Sequence, residues 1–339
     1  MLATSRLFWS HFLLIFLAGS VHASDGLFAD HSILELELRG PVADTIRDKR
    51  NPKERPFVVI VDGEEWPVAV RSRGKSRLKL CRFPPLRFNF KASGIEHGPF
   101  TGLGKLKVVT HCKDKAANED NVLEEYLAYR LFNLFTPLSH RVRLLHIRYV
   151  DTEKQKRAPL EMVAFAIEPL EDLAARTATE VASVEHVVAG RIDREQAALA
   201  FVFQYLIANL DWSLVAALGE TVCCHNMKVL ESDGAQYVVP YDFDLSGFVY
   251  PKYVLRVPNT TTRTSRNRKY AGYCFGGLPL DDAIDAVVAK EEEIMALVDS
   301  LDWAEPRAVE ERREFFRKFF AEAREPGLVE RMQRSCIGK

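Results

Sequence analysis

The chain has 339 residues, 46 Lys plus Arg against 47 Asp plus Glu, and a formal net charge of −1. With 47% hydrophobic residues it can bury a sizeable core, and at this length it can hold two domains or one large two-part domain. A disordered chain and a highly basic nucleic-acid binder are excluded as whole-chain readings, and no nucleic-acid partner is expected.

The first residues read as an export signal. Arg6 precedes the apolar run from Leu7 to Leu17, and small residues at Val21 and Ala23 place a cleavage site near Ala23. The run is short for a membrane span of about 20 residues, so residues 1–23 are assigned as a signal peptide and no integral span is expected afterwards. The mature protein is then exported, to a periplasm or the extracellular space, where disulfides are permitted. Its six cysteines are Cys81, Cys112, Cys223, Cys224, Cys274 and Cys336. Cys81 and Cys112 lie in strand-like segments and form a plausible bridge. The adjacent Cys223 and Cys224 are expected to reach distant partners.

From Ser32 to Phe90 the pattern is that of strands. Leu34, Leu36 and Leu38 alternate with charged residues, and Phe57–Val61 and Trp66–Val70 flank an Asp62-Gly63 hairpin turn. Further strands are expected at Leu86–Lys91 and Leu106–Thr110. A helix follows at about Asn121–Phe135, capped by Asp120 or Asn121. Strands return at Val142–Val150 and Met162–Ile167. The second half reads as mainly helical, with a buried helix at Arg194–Leu210, a strand pair at Met227–Leu230 and Tyr237–Pro240, and amphipathic helices at Asp281–Asp299 and Glu305–Arg324. Residues 24–170 thus form a β-rich part with one helix, and 171–339 a helical part carrying a β-hairpin.

Chemistry concentrates between Phe203 and Gly247. A buried helix ends at Asn209 and delivers Asp211 into a loop; Asn226 opens one strand, and the returning strand delivers Asp242 and Asp244. Two carboxylates two residues apart on a strand end face the same side and repel unless a cation lies between them. Mg²⁺ prefers hard oxygen ligands such as Asp and the Asn carbonyl, a separate Asp can act on an accepting hydroxyl, and a cation can neutralise phosphate.

The IANLD segment followed by His225-Asn226 and by YDFD resembles the active-site core of HipA-like kinases, with their Asn-x-Asp loop, downstream Asn and Tyr-Asp pair. The order of motifs resembles more closely the spore-coat CotH-like secreted kinases: Arg71-Ser72-Arg73-Gly74, the RLKLCRFPPLRFNFK stretch, Leu127-Ala128-Tyr129, His225-Asn226 and Asp242-Phe243-Asp244. The resemblance spans roughly Leu34 to Gly247. It implies an α+β, protein-kinase-like two-lobed fold with a β-rich N-lobe and a mainly helical C-lobe. It also implies transfer of the ATP γ-phosphate to a hydroxyl of a protein or glycan acceptor, with Mg²⁺ or Mn²⁺. Asp211 is then the catalytic-loop aspartate, and Asn226 and Asp242 are metal ligands, with Asp244 the competing choice for the second. Lys91 or Lys107 contacts phosphate, helped by Arg73, and Glu124 or Glu125 pairs with the lysine. The insert from Ser213 to Cys224, and the lack of a glycine-rich loop, depart from the pattern. They point to the alternative, a catalytically inactive surface or envelope binding protein. The segment Arg256–Lys269 reads either as a solvated loop or as a phosphate-facing surface, with Thr260 to Ser265 open to self-modification.

Overall fold

The computed structural model describes residues 25–90, 94–113, 116–154, 158–215, 223–251, 265–301 and 306–338. The expected signal peptide with its cleavage site, Lys91, most of the insert before Cys223 and the greater part of the Arg256–Lys269 segment lie outside the described residues.

After a short helix α1 (Asp25–Phe28), the strands β1 (Leu34–Gly40), β2 (Arg55–Val61), β3 (Glu64–Ser72), β4 (Leu86–Asn89), β5 (Lys105–Thr110), β6 (Val142–Asp151) and β7 (Leu160–Ile167) account for the first half. Short helices α2 (Val42–Arg47) and α3 (Arg77–Leu80) and the long α4 (Ala116–Asn133) lie between them. Asp62 and Gly63 both have positive φ, and Val61 pairs with Glu64, so the Asp-Gly turn forms the two-residue hairpin its sequence dictates.

The seven strands close into a barrel in the order β1-β2-β3-β4-β5-β7-β6. Closure comes from a parallel pairing of β1 with β6, Leu34 opposite Leu145 through Gly40 opposite Asp151. This corrects the expected fold. A kinase-like two-lobed arrangement with a helical C-lobe does not form: the strands wrap into a closed barrel, and a separate three-stranded sheet and helices complete the molecule. Burial drives the closure, because every strand sends alternate apolar residues to one face, and joining β1 to β6 removes both exposed edges.

The period of two sorts side chains between two cores. Leu145, Ile147 and Tyr149 of β6, with Met162, Ala164 and Ala166 of β7, fill the barrel. Their neighbours Val142, Leu144, Val163, Phe165 and Ile167 point outward into the core shared with the helices. There Phe165 meets Tyr126 and Tyr129 of α4, at ring-centroid distances of 6.0 and 5.7 Å. Strand β7 is therefore buried on both faces from Met162 to Ile167 and reads as a continuous apolar run, whereas β6 is buried on both faces only from Val142 to Leu145 and carries the exposed Arg148 further on.

Helix α4 begins several residues before the expected cap. Its first turn is held by tertiary contacts: Glu119 accepts from the Val163 amide (3.0 Å), Asn121 donates to the Val249 carbonyl (3.2 Å), and Asp120 pairs with Arg312. Asp120 and Asn121 are thus drawn into packing rather than capping.

The second half continues with α5 (Leu170–Arg176), β8 (Glu180–Val181), α6 (Arg194–Leu206), β9 (Met227–Ser232) and β10 (Ala235–Pro240), then α7 (Leu280–Val288), α8 (Glu291–Asp299), α9 (Pro306–Ala323) and α10 (Leu328–Ser335). Strands β10, β9 and β8 form the small sheet in that order. Asp193 caps α6 by accepting from the Gln196 amide (2.8 Å). The buried Gln196 side chain then donates to the Val238 carbonyl (3.1 Å), tying the helix to β10.

Three disulfides form: Cys81–Cys112, as expected, Cys274–Cys336, and Cys223–Cys224. The last corrects the expectation of distant partners, since the neighbouring sulfurs bond to each other. The bridges fit an exported protein in an oxidising compartment. Among the described residues no helix is long and apolar enough to cross a membrane. Cys81–Cys112 encloses a separation of 31 residues. Replacing both cysteines by Ala is expected to lower unfolding free energy by about 3–4 kcal/mol on the chain-entropy account. Denaturant titration checks this, and an unchanged midpoint would show that the loop is held by its other contacts.

Candidate functional site

Helix α6 ends in a tight exit. Ala208 takes a positive φ, and the buried Asn209 side chain donates to Gln204 Oε1 (2.9 Å) while accepting from the Asp211 amide (3.0 Å). The Trp212 indole donates to the Asn209 carbonyl (3.2 Å). Asp211 is thereby held in place and nearly buried.

Its carboxylate joins the loop after the vicinal disulfide. His225 Nε2 shares a 2.9 Å hydrogen bond with Asp211 Oδ1. The Asn226 side-chain nitrogen donates to both the carbonyl oxygen (2.7 Å) and Oδ2 (3.0 Å) of Asp211. The Ser213 amide donates to the His225 carbonyl (2.9 Å), clamping the two loops. With its nitrogen committed to Asp211, Asn226 keeps the oxygen of the same side-chain amide for a ligand.

Asn226 and Asp242 both adopt left-handed backbone, at φ of 50° and 61°. Hydrogen bonds hold these conformations: the Tyr241 amide donates to the Asn226 carbonyl (3.1 Å), and the Asp242 amide donates to the Tyr129 hydroxyl of α4 (2.8 Å). Non-glycine residues held in this region mark places where the surroundings over-determine the backbone, which is common at functional sites. Phe243 is fully buried against Tyr129, with ring centroids 4.7 Å apart, and so anchors the turn between the two aspartates.

Asp244 points into the protein. Arg77 of α3 donates to the Thr110 carbonyl (2.8 Å) and lies 3.5 Å from Glu125 of α4 and 3.9 Å from Asp244. Burial, reinforced by the charges of Asp242, Glu125 and Asp211, holds the Asp244 carboxyl well above the ordinary range. Burial likewise pushes up the Glu125 carboxyl. Four carboxyl groups thus converge where the nearby Arg77 offsets only part of their charge. Glu124, by contrast, turns away to Arg312 of α9 (3.4 Å).

The opposite wall is cationic. Lys107 of β5 and Lys228 of β9 place their ammonium groups 5.6 and 5.0 Å from the Tyr241 ring centre. Burial first, then the charges of Arg73 and Lys228, lowers the Lys107 ammonium to about 8. Burial also lowers Lys228. Beyond them, burial and the Lys107 charge push the His140 imidazole down to about 3.

The structure therefore brings together Asp211, Asn226, Asp242, Asp244, Lys107 and Arg73. Lys91, the other lysine expected to contact phosphate, lies outside the described residues. Glu125 pairs with Arg77 rather than with a lysine. Sequence reasoning gave Lys228 no role, placed Tyr241 only in the Tyr-Asp pair, and placed Arg77 only in the RLKLCRFPPLRFNFK stretch. Lys228 lies two residues after Asn226, but Asn226 precedes β9 in left-handed backbone, so strand alternation gave no signal linking the two. Arg77 gave none, since its partner is 48 residues away.

The donor chemistry suits a hard divalent cation, with the Asn226 side-chain oxygen and the Asp242 carboxylate as natural ligands and a buried Glu125 Oε1 that makes no hydrogen bond among the described residues. Among the described residues, however, no group of three or more His, Cys, Asp or Glu is already arranged to hold a metal.

Compared with known proteins, the chain matches no protein-family model and no curated protein.

The His225 pair gives a pH signature. Its hydrogen bond to Asp211 raises the imidazole above the ordinary 6.5, against the opposing effect of burial. A group raised in the folded state contributes its full stability below the unfolded value and loses it as pH rises through the folded value. His225→Gln is therefore expected to cost about 1 kcal/mol below pH 6.5, allowing for solvent screening of this partly exposed ring, and progressively less above it. Urea unfolding of both proteins across this range checks the sign; a cost that grows with pH would contradict it.

Proposed function

We propose that this cleft transfers a phosphoryl group from ATP to a hydroxyl, with Mg²⁺ or Mn²⁺ held by Asn226 and Asp242. The observation that carries the reading is the hydrogen-bonded unit of Asp211, His225 and Asn226, set between carboxylates on one side and Lys107 with Arg73 on the other. The metal, when bound, would neutralise phosphate charge. Asp211 would orient the acceptor hydroxyl and take its proton. His225 and Asn226 keep that carboxylate from rotating. Lys107 and Arg73 would offset charge on the transferred group. The acceptor is a protein or a glycan outside the cytoplasm.

ADP release from ATP, followed with and without divalent metal, tests this. Turnover that requires the metal and falls in Asp242→Ala supports the reading. Equal ADP release in Asp242→Ala would remove the metal role of that residue.

A second reading has its own support. Arg77 already lies beside Asp244 and Glu125, where it supplies positive charge that a metal would otherwise supply. That arrangement favours a non-catalytic exported binding protein, which would bind ligand in this cleft without releasing ADP.

A further inference from the structure

Lys107 and Lys228 come from different sheets. Lys107 stands on β5 of the barrel, and Lys228 on β9 of the small sheet. Both side chains are partly buried, and both ammonium groups lie over the same Tyr241 ring. Among the described residues neither ammonium has a carboxylate within 4.0 Å. From beyond that distance the charges of Asp242 and then Glu171 reach Lys107, the Glu171 charge also reaches Lys228, and Arg73 adds a third positive charge against Lys107.

This arrangement is unfavourable as it stands. Two partly desolvated cations repel each other, and each loses solvation that no ion pair among the described residues restores. The Tyr241 ring face offsets some of that cost. An anion between the two ammonium groups would offset much more. The anion must be small enough to reach both lysines and carry more than one negative charge. Phosphate groups meet both requirements, and Lys binds them as a point charge.

We propose that Lys107 and Lys228, whose ammonium groups lie 5.6 and 5.0 Å from the Tyr241 ring centre, form a phosphate-binding subsite that bridges the barrel and the small sheet and grips the phosphate chain of the donor. The inference rests on the phosphoryl-transfer reading of the same cleft and adds Lys228 and Tyr241 to it. Lys228 is a specificity-determining residue on this account. It couples the phosphate to β9, the strand that Asn226 immediately precedes, so occupancy of the subsite also steadies the Asn226 loop.

The test uses inorganic triphosphate as the probe, in buffer stripped of divalent metal, with affinity measured by calorimetry. Wild type is expected to bind it. Lys107→Met and Lys228→Met, which retain most of the stem packing, are each expected to weaken binding about tenfold or more. Asp242→Ala is expected to bind at least as tightly as wild type, because it removes a neighbouring negative charge. Thermal melting of each variant separates lost binding from lost folding. Wild-type affinity in Lys228→Met, with melting unchanged, would overturn the proposal. So would an absence of metal-free triphosphate binding by wild type. Triphosphate binding that depends on both lysines, in a protein that shows no metal-dependent release of ADP, would support the subsite while removing the transfer reading. Metal-dependent ADP release that is indifferent to Lys228→Met would overturn the subsite while sparing that reading.

Discussion

Replacing Asp211 by Asn is expected to lower phosphoryl transfer by about 10²–10⁴-fold while leaving nucleotide affinity nearly unchanged. The side-chain shape is retained, and the substituted amide can still accept from the Asn226 side chain through its remaining oxygen. What disappears is the charge that takes the acceptor proton and the anionic partner of His225. The substitution therefore separates chemistry from binding. Steady-state ADP release and equilibrium nucleotide titration on the same preparation check it. A parallel loss of affinity and rate would place Asp211 in ligand binding, and unchanged turnover would remove its role in proton transfer.

The largest effect on stability is expected away from the cleft, at Arg312. This α9 residue is 2% exposed and lies 3.2 Å from Asp120 and 3.4 Å from Glu124, both on α4. Burial already raises the Glu124 carboxyl to about 7, with Arg312 as the main opposing charge. Arg312→Ala leaves the buried Glu124 and the partly exposed Asp120 without their shared partner and opens space where the side chain packed. A loss of about 3–5 kcal/mol is expected, the usual cost of breaking a buried pair from one side. Denaturant unfolding checks the size. The same variant with Glu124→Gln should recover part of the loss, because the partner charge is then gone; no recovery would show that packing alone explains the effect. Helix α4 also carries Glu125 and Tyr129, so this pair braces the wall of the cleft as well as the fold.

Local patterns in the sequence were legible where the partner is near in the chain. The Asp62-Gly63 hairpin and the alternation along β1 follow from turn chemistry and from the period of two, and both form. The strand pair after Asn226 forms for the same reason. The barrel was not legible, because its closure depends on β1 pairing with β6, about a hundred residues later, and strand patterning carries no record of partner. The start of α4 was missed because Asp120 and Asn121 satisfy distant groups instead of capping. The motif resemblance led to the kinase-like expectation, and motifs do not determine how strands close.

In the site, Asp211, Asn226 and the Asp242–Asp244 pair stood out because a helix end and two strand ends deliver them. That they meet is a tertiary fact: three hydrogen bonds from the His225-Asn226 loop fix Asp211, the Tyr129 hydroxyl of α4 accepts from the Asp242 amide, and Arg77 lies beside Asp244. Arg77 and Glu125 form their contact only once α3 at the barrel packs against α4. The Cys223–Cys224 bond was misread because adjacency suggested two separate partners, whereas the two sulfurs satisfy each other directly before the His225-Asn226 pair.

The most direct test is thermal stability of the purified protein titrated with ATP and Mg²⁺ or Mn²⁺, with Asp242→Ala alongside. At nucleotide about 100-fold above its dissociation constant, a specific site should add about 2.7 kcal/mol to the wild type. The account predicts that gain in the presence of metal and its loss in Asp242→Ala. A folded wild type that gains nothing, or a variant that gains as much, would contradict a metal-nucleotide site built on Asn226 and Asp242.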